Sequence, residues 1–487
     1  DPEPWEDVRD ATEYGAICPQ SQVSDSLAFF EQSLGMNVSQ AAQNTYTINE
    51  DCLFLNVFTP NLTGNLPVMV WIHGGDLQSG SGQDLPADGV VAQDVVLVTI
   101  NYRLGFLGYL AHPELNDTNF GLYDKIKALE WVQANIAQFG GDPDHVTIWG
   151  ESSGGTSVLA LMASPLAEGL FTNVIAESPA LFESVNVTKE EAGDLGLALE
   201  KFVNATNIDQ MRSVPAEFFL EANDLFVASP FANMSESMIN LYTDNKSLPK
   251  SIFEAFQTGT QLKANLLIGT NANESSLFLE ADYTESPMTI STYENFVNNM
   301  FKEQEQRDKI FGLFPASTDE EAESAMMELT TDFLLGAGAY WAAKGNARTG
   351  NATFLYFFDY AYPNNPDPEA GAFHGSELPF VFNVSSTFNY TTLGPQIPTY
   401  WTNFAKTGNP NHPARGQTDI PKWPAFEEGS DSWQVLGSEI SNQKIPESTV
   451  EIYELAETLL PANYLVGTGP LFGSSLTWKI SDGIPQT

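Results

Sequence analysis

The sequence predicts an α/β fold, with a central, mostly parallel β-sheet flanked by helices and enlarged by helical insertions. Two observations predict this class. Short apolar, β-branched runs of strand length recur along the chain, and segments with helical periodicity separate them. No linker, repeat or low-complexity tract interrupts the 487 residues, so we expect residues 1–487 to form a single domain. No apolar run approaches the roughly 18 residues that cross a bilayer, and we therefore expect no transmembrane anchor.

Seven segments have the pattern of strands. They are residues 53–58, 66–72, 95–102, 146–149, 173–177, 264–269 and 352–358. Apolar residues spaced three and four apart predict a long helix from Leu122 to Ile136, which ends at the turn sequence G-G-D-P of residues 140–143. Residues 185–260 and 280–345 have acidic, helical sequence, and we expect them to be insertions around the sheet.

The charge of the chain limits its partners. It has 63 acidic and 20 basic residues and a formal net charge of −43. Contacts to phosphates require Lys and Arg, so nucleic acid is excluded as a partner. Anionic membranes and polyanionic substrates are disfavoured by repulsion. The acidic residues are dispersed through periodic sequence, which indicates a solvated surface and not disorder.

Eleven N-x-S/T sequons and few lysines indicate a secreted, extracellular glycoprotein. The sequons begin at Asn37, Asn61, Asn116, Asn186, Asn204, Asn233, Asn245, Asn273, Asn351, Asn383 and Asn389. In that compartment we expect Cys18 and Cys52, the two cysteines of the chain, to form a disulfide. Such a bridge stabilises the fold by about 3–4 kcal/mol in the chain-entropy treatment.

Residues 150–154, G-E-S-S-G, fit the pattern G-x-S-x-G. The strand pattern of residues 146–149 precedes them, and a buried helix pattern begins at Thr156. Strand, tight turn and helix are the context in which this pattern forms a nucleophile elbow, which exposes a serine hydroxyl at its tip. We therefore predict Ser152 as a catalytic nucleophile, which needs a base and an acid.

The base must be one of five histidines. His112 and His412 lie in sequences typical of turns and are predicted at the surface. His145 precedes the strand of residues 146–149, at the end opposite to Ser152. His73 precedes a double glycine, where its backbone matters more than its ring. His374 lies on a glycine-flanked loop after a strand, where catalytic side chains of open α/β sheets are found.

The acid cannot be chosen from 63 carboxylates by counting, so position decides. Glu274 follows the predicted strand 264–269 closely. The order Ser152, Glu274, His374 is the order of nucleophile, acid and base in α/β-hydrolases. A Ser-His-Glu triad of this kind performs acyl transfer, and we predict that it needs no metal and no cofactor.

Motifs along nearly the whole chain resemble those of the type-B carboxylesterase/lipase family, which includes the cholinesterases, and are most like those of its secreted fungal carboxylesterases. They are EDCLFLNV (50–57), WIHGG (71–75), NYRLGF (101–106), FGGDP (139–143), GESSGG (150–155), GTN (269–271) with Glu274, HGSELPF (374–380) and FAKTGNPN (404–411). The resemblance implies the α/β-hydrolase fold and the same triad. It also implies a Cys18–Cys52 bridge around residues 18–52, a loop that forms a lid or gorge wall in the family. Arg103 and Asp142 are expected to form a structural ion pair, and Ser178 to lie near the triad.

The resemblance implies an oxyanion hole made of the backbone N–H groups of Gly75, Asp76 and Ser153. Asp76 stands where the family often has a small residue, and we expect its carboxylate to point away from the developing negative charge. Family members usually begin roughly fifty residues earlier with an edge hairpin, so we expect a fragment or cleaved chain in which Glu50 lacks its usual arginine. No Trp lies between the two cysteines, which disfavours choline esters.

The predicted function is hydrolysis of small neutral or apolar carboxylic esters through an acyl-enzyme intermediate. Two alternatives stay open from the sequence. In one the protein is a lipase or sterol esterase, whose interfacial lid carries the apolar face of Leu27, Phe30 and Leu34; the same face equally fits an ordinary surface helix. In the other the protein is a non-catalytic adhesion or binding relative. Asn273 directly precedes Glu274, so we expect it to carry no glycan.

Overall fold

One nine-stranded sheet organises the chain, in the order β1-β3-β2-β4-β5-β6-β7-β8-β9. The computed structural model describes residues 6–21, 46–179, 188–227, 240–276, 279, 288–362, 365, 367, 370–384, 393–411 and 420–459. The strands are β1 (Leu55–Phe58), β2 (Leu66–Ile72), β3 (Val96–Ile100), β4 (Gly141–Glu151), β5 (Asn173–Glu177), β6 (Asn265–Asn271), β7 (Thr353–Asp359), β8 (Ser432–Gly437) and β9 (Ile440–Lys444). All seven predicted strands are present.

Two strands were not predicted, and both lie at one end of the sheet. β8 reads SWQVLG and β9 reads ISNQK. Neither has a sustained apolar run, and β9 is largely exposed. They are strands because β8 pairs with β7 and β9 pairs with β8, which is a tertiary effect that a local pattern does not contain. The two outermost strands, β1 and β9, are antiparallel to their neighbours, and the seven between them are parallel.

Helices connect the strands and cover both faces of the sheet. They are α1 (Asp88–Val91), α2 (Gly105–Tyr109), α3 (Phe120–Asn135), α4 (Ser153–Ala163), α5 (Lys189–Phe202), α6 (Ile208–Met211), α7 (Ala216–Val227), α8 (Ile252–Thr258), α9 (Ile290–Met300), α10 (Gln304–Leu313), α11 (Asp319–Thr330), α12 (Ala337–Arg348), α13 (Leu378–Val381), α14 (Gln396–Thr407) and α15 (Glu447–Leu459). A π-helical turn, Thr331–Gly336, joins α11 to α12. The predicted insertions contain helices α5 to α8 and α9 to α12, although residues 240–251 are described and form no helix. Among the described residues, no helix combines the length and apolarity that a bilayer crossing requires.

The core is divided between the two faces of the sheet. Along β2, Val68, Val70 and Ile72 belong to one hydrophobic cluster. Met69 and Trp71 belong to the cluster on the opposite face. Successive side chains of a strand alternate between faces. An apolar run that is buried on both faces is typical of a parallel sheet covered by helices, so the predicted α/β class is confirmed.

This topology brings the predicted catalytic residues to one edge. β4, β5, β6 and β7 are consecutive and parallel. Their carboxyl ends therefore lie side by side, which is where open α/β sheets place their sites. Ser152 follows β4, Glu274 follows β6, and His374 lies on the connection after β7.

Two side-chain predictions were wrong. Arg103 pairs with Asp124 on α3 (Nη2 to Oδ1, 2.7 Å) and not with Asp142. Asp142 instead accepts hydrogen bonds from His145 Nδ1 (2.8 Å) and Asn65 Nδ2 (2.9 Å). His112 is 1% exposed and not a surface residue, because α5 covers it and supplies Glu200 Oε2 3.1 Å from its Nε2.

Cys18 and Cys52 form a disulfide. Leu27, Phe30 and Leu34, whose apolar face was assigned to a lid or a surface helix, lie outside the described residues. The same holds for His412.

Candidate active site

The turn after β4 has the geometry of a nucleophile elbow. Ser152 lies between the end of β4 and the start of α4 with φ 57° and ψ −128°, a backbone conformation that L-residues rarely adopt. Glycines make this turn possible. A Cβ on Gly150 would lie 2.4 Å from Ile72 O, and one on Gly154 would lie 2.2 Å from the same atom. The elbow therefore packs directly on the end of β2, with no room for side chains between them.

The elbow places the N-terminus of α4 at the site. Thr156 N donates to Ser152 O (2.9 Å), which closes the first turn of α4. The leading N–H groups of a helix have no partner within the helix. The N–H of Ser153, the first residue of α4, is therefore free of intrahelical bonding and carries the positive end of the helix dipole.

A second strained turn, the oxyanion loop (residues 74–79), follows β2. Gly75, Asp76 and Leu77 have φ values of 101°, 57° and 57°. The loop lies against the elbow, since a Cβ on Gly74 would be 3.1 Å from Ser152 Cβ. Asp76 is exposed, and its Oδ2 accepts from Gln78 Nε2 at 2.7 Å. Its carboxylate therefore has a partner within the same loop.

The predicted base and acid are in contact. His374 Nδ1 lies 2.6 Å from Glu274 Oε2. The other oxygen, Oε1, accepts from Asn271 N at 2.7 Å. Glu274 is 0% exposed and His374 is 8% exposed, so the pair is almost fully removed from water. A carboxylate on Nδ1 fixes the imidazole tautomer and leaves Nε2 to exchange a proton with a substrate or a nucleophile.

Hydrogen bonds hold the loop that carries His374. Asn271 Nδ2 donates to Phe373 O (2.8 Å), and Tyr362 OH donates to Ser376 O (2.6 Å). Asn273 Nδ2 donates to Ala370 O (3.0 Å). The ends of β6 and β7 therefore position both the acid and the base.

Three further buried glutamates surround the pair, and sequence reasoning missed them. Glu151 Oε1 lies 3.2 Å from His374 Nε2. Glu177, at the end of β5, accepts from Trp401 Nε1 (3.0 Å), and Glu377 accepts from Asn271 Nδ2 (2.5 Å). All three are at most 7% exposed, and neither Lys nor Arg forms a described ion pair with them. Glu151 and Glu177 lie at the carboxyl ends of predicted strands, and Glu377 lies three residues after His374. These positions were the signal that the sequence offered for them.

This concentration of carboxyls changes their protonation. Burial, reinforced by the charge of Glu274, raises the pKa of Glu151 to about 7. Burial, together with the charges of Glu151 and Glu274, raises the pKa of Glu377 to about 8. Burial and the neighbouring Glu377 also raise the pKa of Glu177. Burial by itself lowers the pKa of His374, but Glu151 and Glu274 outweigh that effect and the net direction is upward. Protons are shared among groups this close, so the cluster titrates as a unit.

The remaining described histidines take no part in this cluster. His73 is stacked on Tyr102 with ring centroids 4.3 Å apart, and burial lowers its pKa to about 3. His145 is exposed and paired with Asp142. Ser178, predicted near the triad, directly follows Glu177 in the chain, and its Oγ is buried without a hydrogen-bond partner in the described part of the chain. No group of three or more His, Cys, Asp or Glu suited to a metal ion occurs within the described ranges.

Comparison with known proteins agrees with this geometry. Residues 1–452 match the model of the Carboxylesterase family. The chain is 36% identical to the para-nitrobenzyl esterase of Bacillus subtilis (strain 168), over 92% of this chain and 88% of that protein. It is 31% identical to the cholinesterase of Mus musculus, over 90% and 76% of the two chains. A solved structure titled PNB esterase matches with a TM-score of 0.75 at 34% identity, covering 93% of this chain and 90% of the other. The chain therefore belongs to the carboxylesterase family and is a carboxylic ester hydrolase with the α/β-hydrolase fold.

Proposed function

We propose that ester hydrolysis proceeds through an acyl-enzyme on Ser152, with His374 as the base and Glu274 as the acid. Ser152 Oγ attacks the ester carbonyl carbon while His374 Nε2 takes its proton. The same imidazolium then protonates the leaving alkoxide. Water, deprotonated by His374, attacks the acyl-serine and releases the carboxylic acid, which restores Ser152. Glu274 holds the imidazole and stabilises its protonated form.

The oxyanion hole in this proposal consists of the backbone N–H groups of Gly75, Asp76 and Ser153. Two strained turns support it, since the oxyanion loop and the elbow approach each other at Gly74. N–H groups fixed in this way stabilise the charge that develops on the carbonyl oxygen. The exposed carboxylate of Asp76 is compatible with this role, because only its N–H would face the oxyanion.

One observation carries the mechanism: the contact of 2.6 Å between His374 Nδ1 and a fully buried Glu274, at the same sheet edge as the elbow. The direct test is Ser152→Ala with a soluble p-nitrophenyl ester. We expect kcat to fall by about 10³-fold or more. Unchanged turnover in a folded variant would remove Ser152 from the mechanism.

We propose that the substrates are neutral or apolar esters. Glu274 lies on the acid-base side, Asp76 lies on the oxyanion loop, and the whole chain has a net charge of −43. An anionic acyl group would enter against this field. We expect kcat/KM for a mono-p-nitrophenyl dicarboxylate, such as the glutarate, to be at least about tenfold below that for p-nitrophenyl butyrate, with the gap narrowing as salt screens the charges. Equal values at low salt would contradict this substrate class.

A short-chain esterase and an interfacial lipase predict different kinetics for the same site. We propose the esterase. The support is the 36% identity to a para-nitrobenzyl esterase. Rates measured with acyl chains of increasing length, below and above the solubility limit of each ester, test it. A sharp rise in rate at the limit would favour the lipase.

We also propose that the protein is secreted and glycosylated. Asn61, Asn116, Asn204 and Asn245 are exposed sequon residues, and the disulfide fits an oxidising compartment. Asn273 is half-buried and its amide donates to Ala370 O, so we expect it to stay unmodified. Glycan mapping by mass spectrometry after secretion from a eukaryotic host tests both statements. A glycan on Asn273 of the active enzyme would contradict the assignment of Glu274.

A further inference from the structure

One side-chain hydrogen bond joins the oxyanion loop to the nucleophile elbow. The N–H of Leu77 donates to Ser153 Oγ at 3.1 Å, and both residues are 0% exposed. We propose that the Ser153 hydroxyl is a positioning group that holds the oxyanion loop against the elbow, so that N–H groups from the two segments converge on one oxygen atom. This inference rests on the proposed function, because it concerns the geometry of the oxyanion hole.

The oxyanion loop needs such a restraint because its backbone is strained. Asp76 and Leu77 both have φ 57°, a region in which side chains crowd the backbone, and neither is glycine. A strained segment keeps its conformation only where its surroundings fix it. The carbonyl of Leu77 accepts from Gly105 N at 2.8 Å, which ties it to the start of α2. The N–H of Leu77, through its hydrogen bond to Ser153 Oγ, connects the loop to the elbow in the same way.

Ser153 contributes to both sides of the hole. Its backbone N–H, at the start of α4, is one of the proposed oxyanion donors, and its side chain reaches the loop that supplies the others. Its carbonyl accepts from Ser157 Oγ at 2.7 Å, one turn further along α4. Removing only the hydroxyl would keep the N–H of residue 153 but leave the buried N–H of Leu77 without this acceptor. The loop could then relax and carry the N–H groups of Gly75 and Asp76 out of alignment.

The test compares Ser153→Ala with Ser157→Ala. Both remove one buried hydroxyl from α4, but Ser157 makes its described bond to Ser153 O and none to the loop. For Ser153→Ala we expect kcat on a soluble p-nitrophenyl ester to fall by about 10- to 100-fold, because an oxyanion donor displaced by an ångström loses most of its effect. KM should change by less than about threefold, since the substrate carbonyl gains its charge only in the transition state.

Two further readouts distinguish positioning from general damage. The affinity for an aryl trifluoromethyl ketone, which forms a charged tetrahedral adduct, should fall by the same factor as kcat. Hydrogen exchange should show that the Leu77 amide is protected in the wild type and in Ser157→Ala but exchanges faster in Ser153→Ala. If Ser153→Ala does not fold, Ser153→Cys is measured in the same way, with a smaller loss expected because sulfur is a weak acceptor.

A folded Ser153→Ala variant with wild-type kcat and a protected Leu77 amide would overturn the inference while leaving Ser152 as the nucleophile. Equal losses in Ser153→Ala and Ser157→Ala would also overturn it. A wild-type protein without esterase activity would instead overturn the proposed function. The exchange rate of the Leu77 amide would still test the hydrogen bond between Leu77 and Ser153.

Discussion

The two sides of the site are built in different ways. The oxyanion side lies at the ends of β2 and β4. Its geometry depends on the backbone, because two strained turns pack against each other where glycines leave no side chain between them. The acid-base side lies at the ends of β5, β6 and β7, and its properties come from side chains: His374 lies among the buried Glu177, Glu274 and Glu377, with Glu151 reaching it from the end of β4. Steric change should therefore damage the first side, and change of charge should damage the second.

The largest effect expected on the acid-base side comes from Glu274→Gln. The glutamine amide is nearly isosteric, but it carries no charge to stabilise the imidazolium, and its N–H₂ group can favour the wrong tautomer. We expect kcat to fall by about 10⁴-fold, as in triads whose acid is converted to an amide. Steady-state kinetics on a p-nitrophenyl ester measures it, with Glu177→Gln as the matched control. Similar losses in the two variants would show that Glu274 has no special role.

On the oxyanion side, Gly74→Ala tests the steric argument. The new Cβ would lie 2.7 Å from the carbonyl oxygen of Glu151, so the loop must move away from the elbow. We expect kcat to fall by about 100-fold with little change in KM. Gly312→Ala is the control, because a Cβ on that helical glycine meets nothing within 4 Å. A Gly74→Ala variant with wild-type kcat would show that the two turns do not need their close approach.

A smaller effect should appear in the pH dependence of Glu151→Gln. The carboxylate of Glu151 raises the pKa of His374, and catalysis needs the neutral imidazole. Removing that charge lowers the pKa of His374, so the acidic limb of kcat/KM should move to lower pH. The exposed Glu320→Gln serves as the control and should leave the profile in place. A limb that moves to higher pH in Glu151→Gln would contradict this account of the cluster.

The smallest effect concerns stability. Burial raises the pKa of Glu151 to about 7 and that of Glu377 to about 8 in the folded protein, from 4.5. Both groups thus bind protons more tightly when folded, and the stability they contribute is complete below about pH 4.5 and is lost as pH rises toward 8. Urea unfolding between pH 4.5 and 8 should show the free energy of unfolding declining, and Glu377→Gln should flatten the decline. A variant with an unchanged slope would remove Glu377 from this explanation.

The same contrast explains what the sequence could predict. The oxyanion side depends on the local backbone. The glycine patterns around Ser152 and at Gly75 could therefore be recognised in the sequence. Glu274 and His374 could be predicted as acid and base because they follow recognisable strands in the expected order. Glu151, Glu177 and Glu377 were missed because nothing in a sequence with 63 acidic residues marks which of them are buried. Burial depends on the pairing of β4, β5, β6 and β7.

The incorrect predictions have the same origin. Arg103 pairs with Asp124 because α3 folds back beside the end of β3, and the chain offers acidic residues at both 124 and 142. His112 lies in turn sequence, yet α5 buries it. β8 and β9 exist through pairing with their neighbours. In each case a contact distant in sequence decided the outcome.

In the proposed mechanism Ser152 is the nucleophile, and the pair of His374 and Glu274 activates it. The most direct test is reaction of the folded protein with a fluorophosphonate, followed by mapping of the adduct by mass spectrometry. We predict one adduct per chain, on Ser152, absent in Ser152→Ala and formed far more slowly in Glu274→Gln. A folded protein that forms no adduct, or forms it on another residue, would contradict the account.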